Sequence, residues 1–145
     1  MNDSIKIIKA NSEKEIKDAQ EVRRKVFTEE QKISPELDLD GEDENSDHFV
    51  AYFENEPIGT TRIRYLSNEL AKIERTSIVS AFRGKNIGKK IMEESISYIK
   101  AKGIKEVMLY AQEHAKGFYE KLGFKQKGEI FEEVGIPHIE MILTF

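Results

Sequence analysis

The chain has 145 residues, 39% of them apolar, which is enough for one domain with a sizeable core. Its 23 basic and 27 acidic residues leave a net charge of -4, so the basic excess of a nucleic-acid footprint is missing. Cysteine is absent, which excludes disulfides, thiolate metal sites and a cysteine nucleophile.

Ile5 to Ala10 reads as a first strand. Its isoleucines alternate with lysines, a pattern of neither a signal peptide nor a membrane span, so a cytoplasmic location is expected. Asn11-Ser12 opens a helix in which Ser12 and Glu15 have capping-box spacing. Ile16, Ala19, Val22 and Val26 recur at helical spacing until the pattern fades near Phe27. Thr28 to Asp47 is polar and acidic, is broken by Pro35 and Gly41, and reads as a loop with room for a short helix. Phe49 to Phe53 is apolar on both faces, as suits a strand in a covered sheet. Asn55-Glu56-Pro57 turns the chain into a strand from Ile58 to Leu66, with Thr60, Arg62 and Arg64 on one face. Ser67-Asn68-Glu69 turns it again into a strand from Lys72 to Val79, and these three strands form an antiparallel meander. Alternation puts Glu74 and Thr76 on one face of the last strand and Arg75 on the other.

The pattern then changes. Ile87, Ile91, Ser95, Tyr98 and Ile99, with Met92 and Ile96 beside them, form one side of a helix that Gly103 ends. Val107 to Tyr110 is a short strand, and Ala115 to Leu122 a second helix closed by Gly123. Phe124 to Phe131 and His138 to Phe145 are the last strands. This strand–helix–strand–helix order implies a parallel step within a mixed sheet.

Between Val79 and Lys90 a strand ends, a loop Arg83-Gly84-Lys85-Asn86-Ile87-Gly88 follows, and a helix begins with Lys89 in its first turn. A helix start offers free backbone amides and the positive end of a dipole, and small residues let a phosphate approach. Arg83, Lys85 and Lys89 add charge, so the loop has the chemistry to hold a pyrophosphate; the alternative is a tight turn with solvated lysines. A P-loop needs four residues between its glycines and a Ser or Thr after the Lys, and the dinucleotide fingerprint needs three glycines at other spacings; both fail here.

Ala115-x-x-Phe118-Tyr119-Glu120-Lys121-Leu122-Gly123-Phe124 follows about thirty residues after Arg83-x-x-x-x-Gly88. Together they resemble the GNAT (GCN5-related) N-acetyltransferase superfamily, over essentially the whole chain. The acidic stretch before His48 and Gly135-Ile136-Pro137-His138 resemble a small bacterial branch of it. The resemblance implies one domain over 1–145 of α/β (α+β) class: a mixed, mostly antiparallel central sheet of about six or seven strands flanked by helices. It implies a splayed parallel pair forming an acyl-CoA cleft. It also implies transfer of an acetyl group from acetyl-CoA to an amine. Pantetheine is expected on backbone groups at Ile78 and Val79, and pyrophosphate on the amides of Arg83, Gly84, Lys85, Asn86, Ile87, Gly88 and Lys89. Gln112 stands where the family commonly has an Asn facing the cofactor. Phe118 is placed with the cofactor contacts, the other reading being an aromatic core residue of the helix. Asn86 replaces the usual glycine, and Asn tolerates the left-handed region better than other side chains. Tyr119 matches the family tyrosine that protonates the leaving thiolate, a role for a positioned acid.

The attacking amine must lose a proton. Glu74, on the strand leading to the cofactor loop, is a possible base or an ion-paired glutamate. His138 is a possible base or substrate contact, or a hydrogen-bonded structural residue. His48 and His114 are weaker candidates, and no pair of histidines has a metal-ligand spacing on a helix, so no metal is expected. Glu36-x-Asp38-x-Asp40-Gly41, with Asp47 six residues on, nearly matches an EF-hand loop. It fails at its first and last positions and at Asp43, which leaves a loose acidic loop whose charge would favour a cationic amine. Three functions therefore compete: the acetyl-CoA enzyme, a CoA-binding regulatory module without turnover, and an acidic or calcium-responsive interaction domain. Monomer and homodimer are both open, and neither nucleic acid nor membrane is expected as partner.

Overall fold

The computed structural model describes residues 4–145. Ser12 caps helix α1 (Glu13–Arg23), accepting from the Glu15 amide at 3.2 Å, while the Glu15 carboxylate accepts from the Asn11 amide at 2.7 Å. The capping box thus closes one residue earlier than its usual reciprocal bond. Beyond Arg23 the helix widens into a π-helical stretch, Arg24–Glu30, marked by the Gln31 N–H to Val26 carbonyl bond of 3.0 Å. The stretch expected to be a loose loop then holds a four-residue helix, α2 (Pro35–Asp38), and a 3-10 turn, Asp43–Asn45.

Eight strands form one sheet in the order β1-β2-β3-β4-β5-β8-β6, with β7 also paired to β8. They are β1 (Ile5–Lys9), β2 (Asp47–Phe53), β3 (Glu56–Tyr65), β4 (Leu70–Ile78), β5 (Glu106–Gln112), β6 (Lys125–Gln126), β7 (Phe131–Glu133) and β8 (Ile136–Thr144). Every pairing is antiparallel except β4 with β5. Helix α3 (Ile87–Ala101) covers one face: Ile87, Ile91, Met92 and Ile99 are buried against Ile58, Ile63, Ile73, Val107 and Met141. Helix α1 packs on the other face through Ala19, beside Ala10 and Val50. A side chain at Gly59 would place its Cβ 2.7 Å from Ile78 and 2.9 Å from Ile91, so this glycine permits the close approach of α3 to the sheet. No helix among the described residues is long and apolar enough to cross a membrane.

The single strand expected over 124–131 is divided. Gly128, at φ 89, turns the chain after β6, and β7 joins β8 through Val134 (φ 48) and Gly135 (φ 75), a two-residue primed turn. The last helix, α4 (Lys116–Lys121), is entered through a 3-10 turn at Glu113–Ala115.

A second correction concerns β4. Thr60 pairs with Ser77 and Arg62 with Glu74, so Thr61 faces two residues, Arg75 and Thr76. This is a β-bulge, with Arg75 in the left-handed region at φ 59. Strict alternation fails there. Glu74 and Arg75 both turn toward the α1 side, while Thr76 turns to α3, 3.9 Å from the Met92 sulfur.

Candidate active site

Strands β4 and β5 pair only from Leu70↔Glu106 to Lys72↔Met108, then separate. The gap widens into a cleft of about 880 Å³, lined by the ends of both strands, the π-helical stretch, the start of α3 and the β7–β8 hairpin. Within the described residues it gathers Glu74, Ile78, Arg83, Gly84, Asn86, Ile87, Gly88, Lys89, Gln112, Phe118, Tyr119 and His138. Val79 and Lys85 are the two site candidates outside its lining.

The loop before α3 has the geometry an anion needs. Gly84 (φ 77) and Asn86 (φ 64) both take the left-handed conformation, so Asn86 adopts a backbone that suits glycine. The amides of residues 84–89 donate to no protein acceptor among the described residues; the first intrahelical bond is Lys90 N–H to the Asn86 carbonyl at 3.1 Å. The Arg83 amide is already spent on Ser80 at 3.2 Å. Lys85 and Lys89 are exposed. Arg83 does not face the loop: its guanidinium donates to Glu30 at 2.6 Å and to the Ile78 carbonyl at 2.9 Å. Of the two backbone sites expected for pantetheine, Ile78 opens its carbonyl toward this arginine, whereas the Val79 amide is bound to the Ile58 carbonyl at 2.9 Å. Gln112 donates to Gln31 at 3.0 Å, and this bond ties β5 to the end of the π-helical stretch.

Tyr119 packs edge-to-face between Phe118 and Phe124, with ring centroids 5.0 Å and 6.0 Å away. Phe118 is itself exposed on the cleft and faces Gly88, so it is not a core residue. Burial raises the Tyr119 phenol above its ordinary range, and the hydroxyl of Thr76 offsets part of that rise. The phenol is therefore protonated at neutral pH. Thr76 in turn lies 2.7 Å from the Thr61 hydroxyl, which holds it in place. Sequence pattern gave no sign of Thr76, because only the bulge turns it toward Tyr119.

The acidic stretch is folded inward rather than loose. Arg23 and Arg62 are completely buried. Arg23 bonds Asp38 at 3.1 Å and Asp43 at 2.8 Å; Arg62 bonds Asp40 at 2.8 Å, Asp43 at 3.0 Å and also Glu74. Arg75 bonds Asp38 at 3.1 Å and Asp40 at 3.2 Å. Negative charge expected to meet an acceptor, or a cation, is thus spent on arginines. The Glu74 side chain is 8% exposed and is engaged by Arg62, Arg64 and Lys72, the ion-paired form of the two expected for it. Burial alone would raise the Asp43 carboxyl, but bonds from Arg23 and Gln20 bring it down to about 2. Asp40 lies lower still through its bond to Arg62. Carboxyls held below their unfolded values stabilise the fold above about pH 4 and lose that contribution as pH falls toward 2. The melting temperature followed by circular dichroism is expected to be level from neutrality to about pH 5 and to drop between about pH 4 and 2. A melting temperature unchanged at about pH 2 would remove this role.

His48 is buried, its Nε2 donating to the Asp43 carbonyl at 2.9 Å, and burial pushes its pKa down, so it is a neutral structural residue. His114 is exposed and bonds the Gln112 side chain at 2.8 Å. His138 lines the cleft, stacked on Phe131. Its Nδ1 lies 2.7 Å from the Ile136 carbonyl, a pure acceptor, which fixes the proton on Nδ1 and leaves the lone pair on Nε2. Glu133 is 4.0 Å from that Nε2.

Comparison with known proteins accords with this geometry. The family model for the acetyltransferase (GNAT) domain matches residues 8–145. YjcF of Bacillus subtilis (strain 168), an uncharacterized N-acetyltransferase, is 32% identical over 139 residues, 95% of this chain and 99% of its own. The crystal structure of an acyl-CoA N-acyltransferase from Pseudomonas aeruginosa superposes with a TM-score of 0.87 at 27% identity, over 97% of this chain and all (100%) of that one. A GNAT family acetyltransferase from Elizabethkingia anophelis, solved with acetyl-CoA bound, shares the fold at a TM-score of 0.76 and 19% identity, covering 99% of both chains.

Proposed function

The chain belongs to the GNAT acetyltransferase family, and from that premise we propose that it moves an acetyl group from acetyl-CoA to a primary amine by direct attack in a ternary complex. One observation carries the reading: a phenol kept protonated at Tyr119 and a helix start with unspent amides at 84–89 share one cleft. A fold neighbour that holds acetyl-CoA supports the same co-substrate here. The amides of 84–89, with Lys85 and Lys89, would hold its pyrophosphate. The Ile78 carbonyl is the backbone group for a pantetheine amide, once Arg83 releases it. Glu30 offers that arginine a second partner.

His138 is assigned as the base, because it lines the cleft with its Nε2 lone pair unspent and Glu133 can stabilise the imidazolium. The Glu74 carboxylate is committed to its cations and anchors them. His138 takes the proton of the amine, directly or through one water, as the new N–C bond forms. Tyr119 gives its proton to the sulfur as the C–S bond breaks, and His138 returns a proton through solvent.

Release of free CoA from acetyl-CoA across an amine panel tests the reading. Release that saturates with the amine supports it; saturable acetyl-CoA binding without release leaves only a binding module. Replacing His138 with Gln is expected to lower kcat/KM by about 10²-fold and to flatten the acid limb of its pH profile. An unchanged acid limb would remove the base assignment.

A further inference from the structure

The charge balance on the α1 side of the cleft points to the kind of amine accepted; this rests on the acetyltransferase reading above. Glu74 accepts from Arg62 and from Arg64 through Nε at 3.2 Å and Nη2 at 3.1 Å. Asp38 and Asp40 accept from Arg23, Arg62 and Arg75, and Asp43 from Arg23, Arg62 and Gln20. Those acceptors leave the buried Arg62 Nε without a partner and, on residues that line the cleft, three further donor groups. Arg64 Nη1 and Arg75 Nη1 make no hydrogen bond among the described residues, the latter lying 3.9 Å from Glu74. Lys72 Nζ makes only an ion contact with Glu74 at 3.5 Å and sits 4.1 Å from the centre of the Tyr110 ring.

All three residues line the cleft, and each keeps part of its side chain open: 28% for Arg64, 24% for Arg75 and 16% for Lys72. Within the cluster, Arg23, Arg62, Arg64, Lys72 and Arg75 outnumber Asp38, Asp40, Asp43 and Glu74. Glu133, whose charge also reaches Lys72, stands half exposed on the hairpin, where solvent screens it. Burial, and then Arg64, pushes Lys72 below its ordinary value, and burial, then Arg62, does the same to Arg75, as expected of cations short of anionic partners.

We propose that Arg64, Lys72 and Arg75 form a carboxylate-binding subsite, and that the acceptor is an amine carrying a carboxylate, of the amino-acid type, rather than a polyamine. Guanidinium and ammonium donors around one pocket bind a carboxylate through charge-assisted hydrogen bonds. The same surplus repels a second ammonium group, so a diamine loses on both counts.

The test is a panel of amino acids, each with its methyl ester and its decarboxylated amine, followed by CoA release. The acids accepted are expected to show kcat/KM about tenfold or more above their esters and decarboxylated forms. In Lys72→Met that preference is expected to shrink to about twofold. Esters or diamines used as well as the acids, or a preference unchanged in Lys72→Met, overturn the subsite. A second arm uses glutarate, which has no amine, titrated by calorimetry into CoA-saturated protein. If no amine is acetylated yet glutarate binds and Lys72→Met weakens it, the transferase reading fails and the subsite stands. If glutarate does not bind either, the subsite falls as well.

Discussion

Tyr119→Phe is expected to lower kcat about 10²-fold or more, with the melting temperature and the dissociation constant for CoA little changed. The substitution removes one hydroxyl and keeps the ring that packs on Phe118 and Phe124. What it takes away is the proton. Burial favours the neutral phenol, so Tyr119 holds that proton through neutral pH and into mildly basic solution. A loss of 10²-fold corresponds to about 2.7 kcal/mol of transition-state stabilisation, reasonable for one positioned acid. The effect should fall on kcat rather than on the KM for acetyl-CoA, because in the proposed mechanism the hydroxyl acts when the C–S bond breaks. Steady-state kinetics at several pH values checks this, and undiminished kcat in the variant would remove the acid assignment.

Arg62→Met is expected to cost about 3–5 kcal/mol of stability, the usual penalty for removing one partner from a buried ion pair. Arg62 is fully buried and binds Asp40, Asp43 and Glu74 together, so its loss strands carboxylates in a low-dielectric layer between α1 and the sheet. For a domain of this length that is a fall in melting temperature of about 10 °C. The comparison variant is Glu21→Ala, which removes an exposed i,i+3 partner of Arg24 and should change stability by about 0.5 kcal/mol or less. Thermal melts of both by circular dichroism measure the difference. Equal melting temperatures would show that the buried network does not hold α1 and the acidic stretch to the sheet.

Much of the fold was legible because its signals are local. The meander, the parallel step and α3 follow from turn residues and from period-two and period-3.6 patterns. At Asn86, knowing which non-glycine residue tolerates φ > 0 was enough to foresee the backbone at φ 64. The misreadings share a different cause. A bulge shifts the strand period by one residue, and nothing in Glu74-Arg75-Thr76 announces that Arg75 will leave the extended region. The π-helical stretch has a longer turn than the pattern being sought, so the apolar stripe faded near Phe27 while the helix ran to Glu30. The acidic stretch looked loose because its partners, Arg23, Arg62 and Arg75, are distant in sequence, and ion pairing over such separations leaves no periodic trace.

The site divides along the same line. Tyr119, Gln112, Phe118 and the loop before α3 were proposed from motifs, and apart from Lys85 they line one cleft. Thr76, Gln31, Arg64, Lys72 and Arg75 were not singled out as site candidates, because they are scattered over three parts of the chain and only the folded chain brings them to one cleft. The chemistry common to the family was therefore readable, while the residues proposed to bear on acceptor choice required the folded chain.

The most direct measurement is a crystal structure of the chain with CoA bound. The account predicts the sulfur within hydrogen-bond reach of the Tyr119 hydroxyl, the pyrophosphate on the amides of 84–89, and Arg83 moved off the Ile78 carbonyl. CoA bound elsewhere, or a sulfur out of reach of Tyr119 with Arg83 still on Ile78, would contradict it.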